Sequence, residues 1–272
     1  MVSPPAFPPS FLLLQQEGYL ISSCLATGLS ELRRAHVHNK GAFYAALLNI
    51  SVGLERLMKA IIIMDHMMMN QLAVPSRKKL KEYGHDIVGL YTSCVSISAA
   101  ENSKLTPIQN LEPITAEILA LLNDFAQTTR YHNLDALSRL QTQTDPLEHW
   151  NNVMTSILRK DVSKTKQDRI LSQANAVSSA LAEKAITLMQ GLDKQSLTTE
   201  QALALPELHD QAVRYAVLYI MKMLTELRDL TSDVSHKAYA CGGREPPFPQ
   251  MQEFLEWIWD DRAYVLRKKK WP

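Results

Sequence analysis

Several short stretches of this chain carry the side chains that bind anions or move protons. In positions 52–60, Glu55 and Lys59 stand four apart with the glutamate nearer the N-terminus, the favoured order for a helical ion pair. They lie in a helix whose other faces are apolar, so each charge needs a partner, because an unpaired buried charge costs several kcal/mol. The pair reads either as a structural lock on helix register or as the electrostatic arm of a site. In positions 81–87, Gly84 supplies a turn, Asp86 a helix cap, and His85 a donor for a carboxylate such as that of Glu55. Helix punctuation accounts for the same residues. In positions 129–135, Arg130, His132 and Asn133 cluster. Arginine forks onto phosphate, histidine moves a proton near neutral pH, and asparagine hydrogen-bonds a substrate. The competing reading is helix termination, with arginine complementing the dipole and asparagine taking the left-handed conformation. Arg228 and His236, eight positions apart, fall on one helix face and form a second Arg–His pair.

Other chemistries are poorly served. No glycine-rich phosphate loop occurs, and only nine glycines are present, which argues against a nucleotide fold of that kind. No G-x-S-x-G elbow surrounds any serine. His36, His38, Asp65 and His66 lack metal-ligand spacing, and no metal or other cofactor is expected. Cys24, Cys94 and Cys241 are too few and too scattered for a disulfide framework, which suits a reduced, cytoplasmic setting. Lysine and arginine total 29 against 28 acidic residues, a net charge of +1. The chain therefore has neither a basic coat nor an acidic tail. No basic region precedes Phe11 to Leu14 as a secretory signal would require. No long apolar run suggests a membrane span.

The elements that must position these residues read as helices. Hydrophobic residues make up 46% of the chain and charged residues 21%, values of a globular protein. Only Pro75, Pro107, Pro113, Pro146 and Pro206 interrupt positions 10–245. Proline costs about 3 kcal/mol in a helix interior, so the spans between them are free to be helical. The pattern predicts a helix from an N-cap at Ser10 to about 34, and a second over 42–70 that is apolar on most sides and hence central. A short basic helix over 77–83 follows, then helices over 86–98 and 114–129. Asp145 caps a helix with Pro146 at its first position. One or two helices fill 147–190, with Leu171, Ala174, Val177, Ala180, Leu181, Ala185 and Leu188 as a sparse apolar stripe. Pro206 starts a helix that Cys241-Gly242-Gly243 ends, and an aromatic helix over 250–266 closes the chain. The fold class is an all-α multi-helix bundle, with more than about 60% helix expected. The segments are a Pro-rich stretch at 1–9, a helical region at 10–140, a second at 141–266, and a basic tail at 267–272. The tail reads as a solvated end, or as a small patch for RNA or an acidic partner with Trp271 stacking.

Taken in order, the Glu55-x-x-x-Lys59 helix, the turn at His85 and the Arg130 turn at a helix end resemble the HEPN superfamily over roughly residues 10–140. The resemblance implies a HEPN-like N-terminal half packed with further long helices. It implies a homodimer of a bacterial defence or toxin–antitoxin type system acting on RNA as a metal-independent endoribonuclease. In such enzymes an Arg and a His, with four to six residues between them, hold the phosphate and assist proton transfer from the 2′-hydroxyl. Here His132 follows Arg130 after one residue, and seven residues separate Arg228 from His236. Arg33 and His38 have the family spacing but precede the second helix. Carried over, Arg130 with His132 and then Arg228 with His236 are the catalytic candidates, and Glu55, Lys59, His85 and Asn133 support them. The other reading is a catalytically inactive helical scaffold that binds a protein partner from the same system. Neither reading calls for a membrane.

Overall fold

The computed structural model describes residues 7–138, 144–181, 186–241 and 246–272, and these are 75% helical with essentially no strand. Ten α-helices occur among the described residues: α1 (Pro9–Arg34), α2 (Lys40–Met69), α3 (Arg77–Glu82), α4 (Ile87–Glu101), α5 (Pro113–Gln127), α6 (His132–Leu137), α7 (Pro146–Asp161), α8 (Lys164–Leu181), α9 (Thr199–Cys241) and α10 (Arg262–Arg267). None is long and apolar enough to cross a membrane.

α2 and α9 are the axes of the bundle. α2 packs against α1, α4, α5 and α9, and α9 also meets α7, α8 and α10. One continuous core joins Leu25 and Leu29 of α1, Leu54 and Met58 of α2, Tyr91 of α4, Leu122 of α5, Trp150 of α7, and Leu224 of α9. It therefore draws on both the 10–140 and the 141–266 regions. α1 and α2 approach closely because both carry glycine at the crossing. A Cβ on Gly28 would lie 2.8 Å from the Ile50 backbone nitrogen, and one on Gly53 would lie 2.7 Å from the Leu25 side chain.

The caps follow side-chain chemistry. Ser76 Oγ accepts from the Lys79 amide at 3.3 Å, Asp86 Oδ1 from Gly89 at 2.9 Å, and Asp145 Oδ1 from Leu147 at 2.8 Å. Each satisfies an amide that the first turn leaves free. α4 ends on Asn102 with φ +55°, the left-handed cap that asparagine tolerates.

Three boundary expectations and two burial expectations change. α1 begins at Pro9 with Pro8 in the cap position, and Ser10 Oγ instead donates to the Pro247 carbonyl. α9 begins at Thr199, not Pro206. The Thr198 hydroxyl accepts from the Gln201 amide at 3.1 Å while the Gln201 side chain accepts from the Thr198 amide at 2.9 Å. This reciprocal capping box starts the helix, and Pro206 lies inside it at the loss of one backbone hydrogen bond. The aromatic helix over 250–266 is a 3₁₀ segment, Met251–Leu255, followed separately by α10. Asp261 causes the restart by capping Tyr264. On α8 the buried side chains are Ile170 and Ala174, whereas Leu171 and Val177 are exposed, and Leu188, beyond the helix, is exposed too. The helix rests mainly on α9, through a small cluster with Ala204 and Leu208 that Leu158 of α7 also joins, so one narrow edge is covered. The basic tail is not a free end: Trp271 is 2% exposed, its amide donates to Ser30 Oγ, and Arg33 Nε donates to the Lys268 carbonyl. Burial of the indole outweighs the solvation of its lysine neighbours. Ala185 of the expected stripe, Gly242 and Gly243, residues 1–6 of the Pro-rich stretch and 141–143 of the junction lie outside the described residues.

Candidate functional site

One pocket of about 430 Å³ opens between α1, α2 and the C-terminal end of α5. Its walls are Leu14 of α1, Leu48, Val52 and Ile63 of α2, and Phe125 of α5. Helical spacing brings Ser51, Glu55 and Lys59 to the same side of α2. The turn after α3 delivers His85, and the 3₁₀ turn after α5, Thr129–Tyr131, delivers Arg130. Apolar walls with a few convergent polar groups are the usual form of a binding or catalytic site.

Glu55 organises the polar side. Its Oε1 accepts from Lys59 Nζ at 2.7 Å, and its Oε2 lies 3.0 Å from His85 Nδ1. Lys59 Nζ also donates to the Gly84 carbonyl at 2.6 Å. Gly84 has φ +48°, a left-handed conformation that glycine adopts without strain. The turn is thereby pinned to α2. With Nδ1–H donating to the carboxylate, the imidazole presents Nε2 outward, and the His85 side chain is 58% exposed against 15% for Glu55. Burial pushes the Glu55 carboxyl up, but hydrogen bonds from Lys59 and His85, with their charges, outweigh it and hold the group below its ordinary range.

A second ion pair forms the rim. Arg56 Nη1 donates to both carboxylate oxygens of Glu17, at 3.0 and 2.7 Å. Arg130 donates from Nη2 to the Ala126 carbonyl and lies 5.9 Å from the Tyr131 ring. It has no carboxylate partner among the described residues. Arg56, Lys59 and Arg130 against Glu17 and Glu55 leave one net positive charge, with His85 counted as neutral. The arrangement can bind one anionic group beside an apolar body and exchange a proton with it.

Of the residues chosen from sequence, Glu55, Lys59, His85 and Arg130 meet here; the others do not. His132 is buried with Nε2 3.6 Å from Asp145 Oδ2, and that carboxylate also takes Lys194 at 2.9 Å. A 3₁₀ turn advances about 120° per residue, so two residues beyond Arg130 the chain faces away from the pocket. Asn133 donates to the Tyr44 hydroxyl at 3.0 Å. Arg228 donates to the Ile258 carbonyl and lies 5.1 Å from the Trp259 ring, while His236 Nε2 meets Gln252 at 3.0 Å. Arg228 and His236 do share a face of α9, and that face fastens the C-terminal segment. Arg33 is buried beside Asp210, and His38 is exposed. His36 and His38 precede α2 whereas Asp65 and His66 lie in its last turns, so the length of a helix separates them. Among the described residues no group of three His, Cys, Asp or Glu side chains is arranged to hold a metal.

Glu17 and Arg56 were not singled out from sequence. Arg56 follows Glu55 directly, and its partner is 39 positions away on another helix, a pairing with no local signal. Compared with protein-family models, curated proteins and solved structures, the chain matches none.

Proposed function

We propose that this pocket is the centre of a HEPN-like, metal-independent endoribonuclease, with Arg130 facing the scissile phosphate and His85 carrying the proton. The observation that carries this reading is the Glu55–His85 contact at 3.0 Å beside a guanidinium without a carboxylate partner. A carboxylate on Nδ1 fixes the tautomer and supports the charged imidazole that forms when Nε2 takes a proton. In the reaction the ribose 2′-oxygen attacks phosphorus, the bond to the 5′-oxygen breaks, and the proton removed from the 2′-hydroxyl is returned to that leaving oxygen. Arg130 stabilises the negative charge that develops on the phosphoryl oxygens. One net positive charge suits one phosphodiester. His85 thus takes the role that the family spacing alone would have sought near Arg130. The bacterial defence or toxin–antitoxin setting and the homodimer implied by the resemblance belong to the same proposal. Exposed Tyr131, Leu134 and Leu137 follow Arg130 directly and suit the pairing of two copies.

The test is incubation of the full chain with mixed RNA in EDTA, beside Arg130→Ala, His85→Gln and Arg228→Ala. Cleavage should survive EDTA, fall about 10²–10⁴-fold in the His85 variant and comparably in the Arg130 variant, and persist in the Arg228 variant. Full activity in Arg130→Ala would refute the assignment. The apolar walls and the exposed leucines favour a second reading, an inactive helical module that binds a protein partner. No cleavage under any condition, with a stable protein complex recovered from cells, would support it.

A further inference from the structure

The sequence of α3, Arg-Lys-Lys-Leu-Lys-Glu, places four cations within five positions of a chain whose net charge is only +1. At about 100° per residue, Arg77, Lys78 and Lys81 lie within a single arc of about 100°, and Lys79 points the other way. Lys79 Nζ meets His66 Nδ1 at 3.2 Å, which ties α3 to the end of α2. Arg77, Lys78 and Lys81 are exposed, and none forms an ion pair among the described residues. Glu82 stands next to this face, and the acids nearby include Asp65 on α2, Asp86 at the cap of α4, Glu101 at its end, and Glu55, which is held by Lys59 and His85.

The position of this face matters as much as its charge. Only Glu82, Tyr83 and Gly84 separate Lys81 from His85. Four residue steps span at most about 14 Å, under two Debye lengths of about 8 Å at physiological salt. Tyr83 packs against the core and Lys59 holds the Gly84 carbonyl, so the turn that joins α3 to His85 is anchored beside the pocket.

We infer that Arg77, Lys78 and Lys81 form a sequence-independent track for the phosphate backbone of single-stranded RNA, leading it into the pocket. This rests on the ribonuclease reading of that pocket. A single strand is favoured over a duplex because a pocket of about 430 Å³ admits an unpaired nucleotide and not a base pair. Met69, Leu72 and Val74 are exposed at the loop before α3, and apolar residues beside lysines also suit an anionic membrane surface. Continuity with the His85 turn favours RNA.

The probe is a fluorescent 20-nucleotide 2′-O-methyl uridine oligomer, which lacks the attacking hydroxyl. Its binding to the full chain is measured between 50 and 300 mM KCl, for wild type and for the triple variant Arg77→Gln, Lys78→Gln, Lys81→Gln. For a single strand each phosphate contact contributes about 0.7 to the slope of log K against log salt. The triple variant should therefore show a slope shallower by about 2 and binding about 100-fold weaker near 0.1 M salt. The substituted side chains are exposed, so an unchanged melting temperature is the folding control. Equal slopes in variant and wild type would overturn the track. So would an equal flattening in Lys269→Gln, Lys270→Gln, or binding to phosphatidylserine vesicles with none to the oligomer. Wild-type cleavage of the unmodified 20-mer in EDTA is scored separately. A changed slope without cleavage would sustain the track and refute the ribonuclease reading.

Discussion

Glu55→Gln removes the charge at the centre of the pocket while keeping the side-chain shape. In the wild type the carboxylate accepts from Lys59 at 2.7 Å and from His85 at 3.0 Å. A charge-assisted hydrogen bond contributes about 1.5–3 kcal/mol when well shielded. Here both donors reach water, with Lys59 24% and His85 58% exposed. Each recovers much of its solvation when the carboxylate is lost, and pairs of that exposure contribute under about 1 kcal/mol. Glutamine also retains one acceptor oxygen. The expected loss is about 1–2 kcal/mol, below the ~3–5 kcal/mol of a fully buried pair, because the helix face is covered on one side only. Urea unfolding from pH 7 to pH 3 is the assay. The folded-state pKa of Glu55 is held down, so its stabilisation is fully present above the unfolded carboxylate value of about 4.3. It is lost as pH falls through the folded value. Wild type and variant should differ by the full amount at pH 7 and converge toward pH 3. Equal stability at pH 7, or a gap that persists undiminished in acid, would refute the reasoning.

Two further perturbations probe the frame around the pocket. A Cβ on Gly18 would lie 2.3 to 2.6 Å from the Phe254 ring, so Gly18→Ala should destabilise by about 1–3 kcal/mol. The loss should largely vanish in a Phe254→Ala background; a double-mutant cycle with no coupling would show that the ring does not rest there. His209 is buried beside His36 and His38, and its pKa is pushed down to about 4, chiefly by burial. The unfolded histidine titrates near 6.5, so stability should climb with pH from about 4 to about 6.5, by on the order of 3 kcal/mol. His209→Gln should flatten that limb of the denaturation profile, and an unchanged limb would locate the acid sensitivity elsewhere.

The helical class and most element starts were legible from local chemistry. Scarce glycine and widely spaced proline leave long spans free to coil, and the Asp86 and Asp145 caps act on amides two or three residues away. The Thr198–Gln201 box is equally local and starts α9 ahead of Pro206, since a proline marks a helix start only when no cap precedes it. Glu55, Lys59 and His85 were readable as neighbours because one helical turn and one tight turn relate them. Which Arg and His would face each other was not readable. That depends on the 3₁₀ turn that aims Arg130 at the pocket and His132 at Asp145, and on the use of Arg228 and His236 to hold the C-terminal segment. The pocket itself arises only in the tertiary structure. Its walls come from α1, α2 and α5, and its rim pair joins Glu17 to Arg56 across the close α1–α2 crossing that Gly28 and Gly53 permit. The burial of Trp271 beside Ser30 has the same origin. A local pattern specifies which face of a helix is apolar, but the partner that covers it is chosen by packing over the whole chain.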